Sequence, residues 1–122
     1  MISLDLVLKL HDKLITRYGG SNGVRDEGAL LSAIGRPYSG FGDTEFYPTA
    51  EEKGAAVLES IIKNHPFVDG NKRTGFLLMR IMIETVGKIF KTTEDENYNF
   101  VIAVASGKME YDEILSWIRS NL

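Results

Sequence analysis

The sequence predicts an all-α domain, a bundle of about six helices around a central apolar helix at 71–86, with an irregular flap at 37–48. Three observations favour this class. Apolar residues recur at helical spacing in several stretches, glycine and proline separate those stretches, and no convincing long strand is present. A chain of 122 residues is large enough for one core, so 1–122 is expected to form a single domain.

The first half of the chain is predicted to form two helices and the irregular segment. The first helix covers 3–18 and ends at Gly19, and the second covers 29–34 with Asp26 as its N-cap. Residues 37–48 carry four aromatic side chains without helical spacing. Two interpretations of this segment remain open. It is either a loop whose aromatic residues close the edge of the core, or a flap or short hairpin that holds a partner peptide.

The second half of the chain is predicted to be helical almost throughout. The expected helices cover 49–64, 71–86, 94–105 and 110–121. Thr49 and Glu52 form a capping-box pattern at the start of the first of these. The helix at 71–86 is apolar almost all round, which is typical of a helix that is buried on most sides. Its charged residues, Arg80 and Glu84, are spaced for a local ion pair.

Composition and charge exclude several classes of protein. The chain has no cysteine, which excludes disulfides and thiolate metal sites and fits a reducing compartment. Its formal net charge is −3, so a large basic surface and direct nucleic-acid binding are not expected. No hydrophobic leader and no apolar run of membrane-spanning length is present. The chain is therefore expected to be cytoplasmic, without membrane association.

Residues 64–76 join the two long apolar helices and combine a helix end, a tight turn and a helix start. Pro66 disfavours helical geometry in the residue before it, and Gly70 permits a turn that a side chain would resist. Lys72 and Arg73 then occupy the first turn of the next helix, where the positive end of the helix dipole disfavours cations. An anion would compensate this charge, and phosphate is the usual occupant of such a site. The pattern therefore indicates phosphoryl or nucleotidyl transfer.

The residues of this segment suggest separate chemical roles. His65 is the candidate general base, because a histidine changes its charge near neutral pH. Asp69 is either an N-cap or Asx-turn residue, or the ligand of a Mg²⁺ ion that bridges nucleotide phosphates, and both roles remain open. Contacts with the phosphates are assigned to Gly70, Asn71, Lys72 and Arg73. His11, which has no such neighbours in the sequence, is expected to be structural.

The motif resembles the signature of the Fic/Doc superfamily, which reads His-Pro-Phe, two variable residues, Gly-Asn, and an arginine two further on. The matching residues are His65, Pro66, Phe67, Gly70, Asn71 and Arg73. Asp69, Lys72 and Thr74 follow the version found in the death-on-curing (Doc) branch. The stretches GGxxGxRDxG at 19–28, IGRP at 34–37 and YPTxEEK at 47–53 look like Doc proteins too. The resemblance thus covers nearly the whole chain.

This resemblance implies the toxin of a toxin–antitoxin module, controlled by a separate cognate antitoxin. Fic enzymes transfer AMP from ATP to a protein hydroxyl, whereas Doc toxins transfer the γ-phosphate to a threonine of elongation factor Tu and stop translation. Lys72 stands where the AMP-transferring enzymes have glycine, and its bulk and charge would obstruct their α-phosphate position. The resemblance therefore implies a Doc-type protein serine/threonine kinase that uses ATP and Mg²⁺ on an elongation factor Tu-like substrate. His65 and Asp69 would be its catalytic residues.

Two alternatives to this function remain open, a Fic-type protein adenylyltransferase and a non-catalytic member that only binds an antitoxin. Phe76 stands where AMP-transferring Fic enzymes carry a second arginine, which weakens the first alternative. The presence of both His65 and Asp69 argues against the second, because a pure binding module needs neither. Leu77 replaces a polar residue with which Doc can contact phosphate, so catalysis is expected to be altered or slow.

Overall fold

The computed structural model describes residues 1–122 and confirms the all-α class with six helices. The helices are α1 (Leu4–Tyr18), α2 (Glu27–Gly35), α3 (Ala50–Asn64), α4 (Asn71–Glu84), α5 (Glu94–Ala105) and α6 (Tyr111–Ser120). A 3₁₀ turn (Arg36–Tyr38) and a hairpin of two short strands, β1 (Gly40–Phe41) and β2 (Thr44–Glu45), connect α2 to α3. None of the helices is long and apolar enough to cross a membrane.

The helix boundaries follow the capping residues that the sequence indicated. The Asp26 carboxylate accepts a hydrogen bond from the amide of Ala29, and the Thr49 hydroxyl accepts one from the amide of Glu52 at the start of α3. Helix α4 ends two residues earlier than predicted, because the chain turns at Gly87 in a left-handed conformation and Val86 is exposed. Local hydrogen bonding therefore decides where the helices begin and end.

The segment at 37–48 is more regular than predicted. Gly40 pairs with Glu45 and Phe41 with Thr44, so its centre is an antiparallel hairpin. A Cβ at Gly40 would lie 2.3 Å from the Thr44 carbonyl oxygen, and only glycine tolerates so close an approach. Tyr38 packs against the core, whereas Phe41 is 83% exposed. The short hairpin that one interpretation predicted is therefore present. Tyr38 also closes the edge of the core, as the other interpretation predicted. Binding of a partner peptide stays a prediction.

The centre of the bundle is a pair of helices rather than α4 alone. Helix α3 packs against α2, α4, α5 and α6, and its residues from Gly54 to Leu58 are all buried. A Cβ at Gly54 would lie 3.0 Å from Ile83 of α4, and one at Gly75 would lie 3.3 Å from Ile61 of α3. These small residues let the two helix backbones approach closely, which the apolar periodicity of α4 did not reveal.

The core lies on both sides of this pair and anchors the functional segment. On one side, buried residues of α3 and α4 meet α5 and α6; on the other, they meet α1 and α2. Phe67 belongs to the second cluster and is 1% exposed. Phe67 therefore fixes to the core the segment at 65–70, which joins the end of α3 to the start of α4.

A buried carboxylate ties the start of α3 to the connection after α4. The Glu51 side chain is 7% exposed and pairs with Lys88, which is about half exposed. Burial, the largest single influence, would raise the pKa of the Glu51 carboxyl, but the hydrogen bonds that the carboxylate accepts, first of all from Lys88, and the charge of Lys88 together outweigh burial and hold that pKa below its ordinary value. Ionised Glu51 therefore stabilises the folded state at neutral pH.

Replacement of Lys88 by glutamine should lower the free energy of unfolding by about 1 kcal/mol at pH 7, because Glu51 loses its partner while Lys88 is already half solvated. The folded-state pKa of Glu51 is depressed, so its contribution is present above the unfolded-state value of 4.5 and is lost as pH falls through the folded-state value. The difference between wild type and variant in thermal melts should therefore shrink below pH 4.5.

Lys91→Gln is the matched control, since Lys91 lies exposed in the same connection and takes part in no ion pair. This variant should melt like the wild type across the whole pH range. Equal destabilisation of both variants would show that the Glu51–Lys88 pair contributes nothing specific.

Candidate active site

The segment between α3 and α4 begins with a strained residue. His65 has φ 47° and ψ 57°, and it is the only residue other than glycine with a positive φ. Left-handed conformations of this kind cost energy in residues with a side chain and persist where the surroundings impose them. Pro66 follows, so the helix ends where the sequence predicted. The His65 side chain itself is exposed to solvent.

Arg25 holds this strained helix end in place. Its Nε donates to the carbonyl oxygen of His65 at 2.6 Å and its Nη2 donates to that of Asn64 at 2.7 Å. Both carbonyls belong to the C-terminal end of α3, where the helix leaves acceptors without partners and a cation is electrostatically favoured. Arg25 thus acts as a capping group supplied from another part of the chain.

The connection from α1 to α2 also forms backbone hydrogen bonds with the residues that follow His65. The amides of Arg25 and Asp26 donate to the Pro66 carbonyl oxygen at 2.8 and 3.0 Å, and the Val68 amide donates to Gly23 at 3.0 Å. Val24 and Phe67 form an isolated antiparallel bridge. The motif is therefore hydrogen-bonded like a strand against the stretch GGxxGxRDxG at 19–28.

The side chain of Asn71 contacts the backbone of Phe67 and not the phosphate position that the sequence suggested. Its side chain is buried, with the amide nitrogen donating to the Phe67 carbonyl oxygen and the amide oxygen accepting from the Phe67 amide, both at 3.0 Å. Both ends of the side-chain amide are thus engaged in closing the loop. The atom of Asn71 that faces a ligand at the helix start is its backbone N–H.

His11 reaches the motif from α1, although 58 positions separate it from Asp69 in the sequence. Its imidazole is 2% exposed and stacks on the Phe67 ring at a centroid distance of 3.8 Å and an angle of 7°. Its Nε2 donates to the Asp69 carbonyl oxygen at 2.8 Å. The residue is structural, as expected, but the sequence contained no signal that it contacts this loop.

Asp69 is not the N-cap of α4, because Gly70 has that position and no side chain caps the helix, so the N-cap role left open for Asp69 is wrong. Its carboxylate is exposed and accepts from the Gly70 amide at 2.9 Å and from the Ser21 amide at 3.2 Å. An ionised carboxylate has about four lone-pair directions, so acceptor capacity remains toward solvent. No group of three or more His, Asp or Glu side chains could hold a metal by itself. A single free carboxylate instead suits Mg²⁺ that takes its other ligands from phosphate and water.

The start of α4 has the geometry of an anion site. Gly70 is the N-cap, no side chain caps the helix, and its first turn contains no acidic residue. The first intrahelical bond runs from the Thr74 amide to the Gly70 carbonyl oxygen, so the N–H groups of residues 71–73 have no helical partner. Lys72 and Arg73 are exposed here, with the Arg73 guanidinium 4.5 Å from the centre of the Tyr18 ring. The dipole and the free donors therefore favour an anion at this helix start, and two exposed cations stand in the same helical turn.

The structure therefore brings the predicted residues together on one short connection. His65 ends α3, Asp69 forms the turn, and the cations stand at the start of α4. Sequence reasoning missed Arg25 and His11, which position this connection from outside it. The one available signal for Arg25 was its place in the pattern GGxxGxRDxG at 19–28, by which that stretch resembles Doc proteins.

Comparison with known proteins assigns the chain to a family. The Fic/DOC family matches residues 1–83, more than half of the chain, so the chain belongs to this family. Over 59 residues it is 44% identical to Toxin Doc of Mycolicibacterium smegmatis, a match that covers 48% of this chain and 45% of that protein. Over 119 residues it is 28% identical to Protein kinase doc of Escherichia phage P1, covering 97% of this chain and 92% of the relative.

The turn at Gly19 and Gly20 offers a test of how Asp69 is placed. Both residues have positive φ, at 88° and 110°, so alanine strains the backbone at either position. A Cβ at Gly20 would lie 2.7 Å from the Asp69 Oδ2, whereas one at Gly19 would meet nothing within 4 Å. Only Gly20→Ala should displace the Asp69 carboxylate.

In each alanine variant, the strain of a side chain at a positive φ should lower the free energy of unfolding by about 1 kcal/mol. In ¹⁵N–¹H spectra, Gly20→Ala should also shift the amide resonance of Gly70, which donates to Asp69, whereas Gly19→Ala should leave that resonance unchanged. Identical spectra of the two variants around Gly70 would contradict the contact.

Proposed function

We propose that the chain is the toxin of a toxin–antitoxin module and a Doc-type protein kinase that transfers the γ-phosphate of ATP to a threonine or serine hydroxyl. The observation that carries the proposal is the uncapped start of α4, with Lys72 and Arg73 beside it and Asp69 in the preceding turn. The similarity over nearly the full length to a relative named Protein kinase doc supports the same function.

The phosphates of ATP would bind at the helix start. The backbone N–H groups of residues 71–73 supply donors that need no rearrangement. Arg73 can donate two parallel hydrogen bonds to phosphate oxygens, and Lys72 adds a mobile point charge. Asn71 contributes through its backbone, since its side chain is engaged with Phe67.

Asp69 would hold Mg²⁺, which neutralises charge on the phosphate oxygens when bound. The bonds from the Ser21 and Gly70 amides fix the direction of the carboxylate. Asp69 lies directly before the free N–H groups of α4. The anionic carboxylate and the donors that bind phosphate therefore come from the same turn and hold a fixed relation to each other.

His65 would act as the general base. The acceptor hydroxyl attacks the γ-phosphorus, its proton passes to the imidazole, and the bond from that phosphorus to the departing ADP oxygen breaks. The products are a phosphorylated side chain and ADP. His65 suits this role because its side chain is exposed while its backbone is held by Arg25 on one side and Pro66 on the other.

The hairpin at 40–45 is the proposed docking element for the protein substrate. Its strands are two residues long, and both are exposed. An exposed strand can accept an extended peptide as an additional strand, and Phe41 and Phe46 provide exposed apolar contacts on either side of β2. An elongation factor Tu-like translation factor is the proposed substrate, which places the activity in the cytoplasm. A cognate antitoxin is the proposed inhibitor.

To test the proposal, the purified protein is incubated with ATP, Mg²⁺ and elongation factor Tu, and the intact mass of the factor is recorded. In the reaction with the wild-type protein, we expect the mass of the factor to increase by one phosphate group. The gain should fall by a factor of about 100 or more with His65→Ala, because removal of a general base costs about that much. Mapping of peptides from the modified factor identifies the acceptor residue.

A control variant and two alternative outcomes decide how the mass measurement is interpreted. Lys91→Gln, whose substitution lies outside the motif, should phosphorylate the factor at the wild-type rate. A gain of a whole AMP would instead assign the chain to the adenylyltransferases and refute the interpretation of Lys72. The absence of any gain, with His65→Ala and wild type alike, would refute elongation factor Tu as substrate.

A further inference from the structure

We propose that His11 is a positioning residue of the active site, which fixes the peptide group between Asp69 and Gly70 and thereby the carboxylate and the helix start on either side of it. The effect on catalysis rests on the function proposed above. The effect on the geometry of the turn does not, because it follows from contacts within the folded chain.

The first observation is the state of the His11 ring. A backbone carbonyl oxygen can only accept, so the 2.8 Å contact with Asp69 requires hydrogen on Nε2. The ring also lies flat on Phe67, and the residue is 2% exposed. The imidazole is thus fixed in both position and tautomer by the motif that it contacts.

The second observation is that one peptide group is held at both ends. The carbonyl oxygen of Asp69 accepts from His11, and the N–H of the same peptide group, on Gly70, donates to the Asp69 carboxylate at 2.9 Å. If the bond to His11 is lost, this peptide plane can rotate, and its rotation moves the Gly70 N–H away from the carboxylate. His11 thereby controls where the Asp69 oxygens point.

The third observation is the tight packing around Gly70, which leaves the turn few alternatives while the ring is present. A Cβ at Gly70 would lie 3.1 Å from Ile15 Cδ1 and 3.6 Å from His11 Nε2. Gly70 is also the N-cap of α4 and accepts the first intrahelical bond from Thr74. The contact from α1 therefore sets both the direction of Asp69 and the first turn of the proposed phosphate site.

Two substitutions separate the hydrogen bond from the ring. His11→Phe keeps an aromatic ring on Phe67 but removes the donor, and His11→Gln keeps an N–H donor at the corresponding reach but removes the ring. A residue that only fills the core would be replaced better by phenylalanine. A residue that acts through the Asp69 carbonyl oxygen would be replaced better by glutamine.

In the phosphotransfer reaction, His11→Phe should lower kcat by about 10- to 100-fold, the loss typical of removing a group that orients a metal ligand. The KM for the protein substrate should stay near the wild-type value, since His11 is buried and touches no docking surface. His11→Gln should recover about tenfold of the lost kcat. His11→Met, which also lacks the donor, should behave like His11→Phe and replaces it if the latter fails to fold.

The same variants are compared without any nucleotide by ¹⁵N–¹H spectroscopy. The Gly70 amide resonance should shift in His11→Phe and return toward its wild-type position in His11→Gln. Shifted resonances with no phosphotransfer by the wild type would support the positioning role and refute only the proposed function. An unshifted Gly70 resonance in His11→Phe, or activity that follows only the folded fraction of each variant, would overturn the positioning role.

Discussion

The guanidinium of Arg25 joins the two halves of this protein at the point where the chemistry is expected. It donates to the last carbonyl oxygens of α3, on Asn64 and His65, and so stabilises a helix end that forces a residue with a side chain into a left-handed conformation. Because His65 turns the chain there, the following residues run antiparallel to Val24 and their amides and carbonyls are satisfied by the α1–α2 connection. The uncapped start of α4 depends on the same turn.

The rest of the bundle keeps that connection rigid. Close packing at Gly54 and Gly75 fixes α3 against α4, so the two helix ends on which the motif depends cannot separate. Phe67 enters the core beside Leu78, and the loop closes on itself through the Asn71 amide. Buried residues with no proposed chemical role thus hold in place the polar groups that face solvent, above all Asp69 and the free N–H groups of α4. Polar groups fixed in this way are what preorganised electrostatic stabilisation requires.

Local features of the chain were predictable from the sequence, and long-range contacts were not. Pro66 and the Thr49–Glu52 pair determine helix boundaries through interactions between residues close in the sequence, so simple rules located them. The charge pattern of Lys72 and Arg73 located the candidate site for the same reason. His11 and Arg25 act across 58 and 40 positions. No chemical feature of the neighbouring residues marks either of them, and only the resemblance of the stretch at 19–28 points to Arg25. The Asn71 side chain was assigned to phosphate because an amide can donate either to a ligand or to the backbone, and only packing decides which.

The most direct test of the phosphate site is a titration of the ¹⁵N-labelled protein with Mg²⁺ and ATP in the absence of a protein substrate. If the start of α4 binds the phosphates, the largest changes in amide resonances should occur at residues 70–73, and Asp69→Asn should weaken the response to ATP with Mg²⁺. A cleft of about 520 Å³ on another part of the surface is also lined by cations, Lys88, Lys91 and Arg119, together with Glu51. Resonance changes confined to that cleft, with residues 70–73 unaffected, would contradict the assignment of the active site.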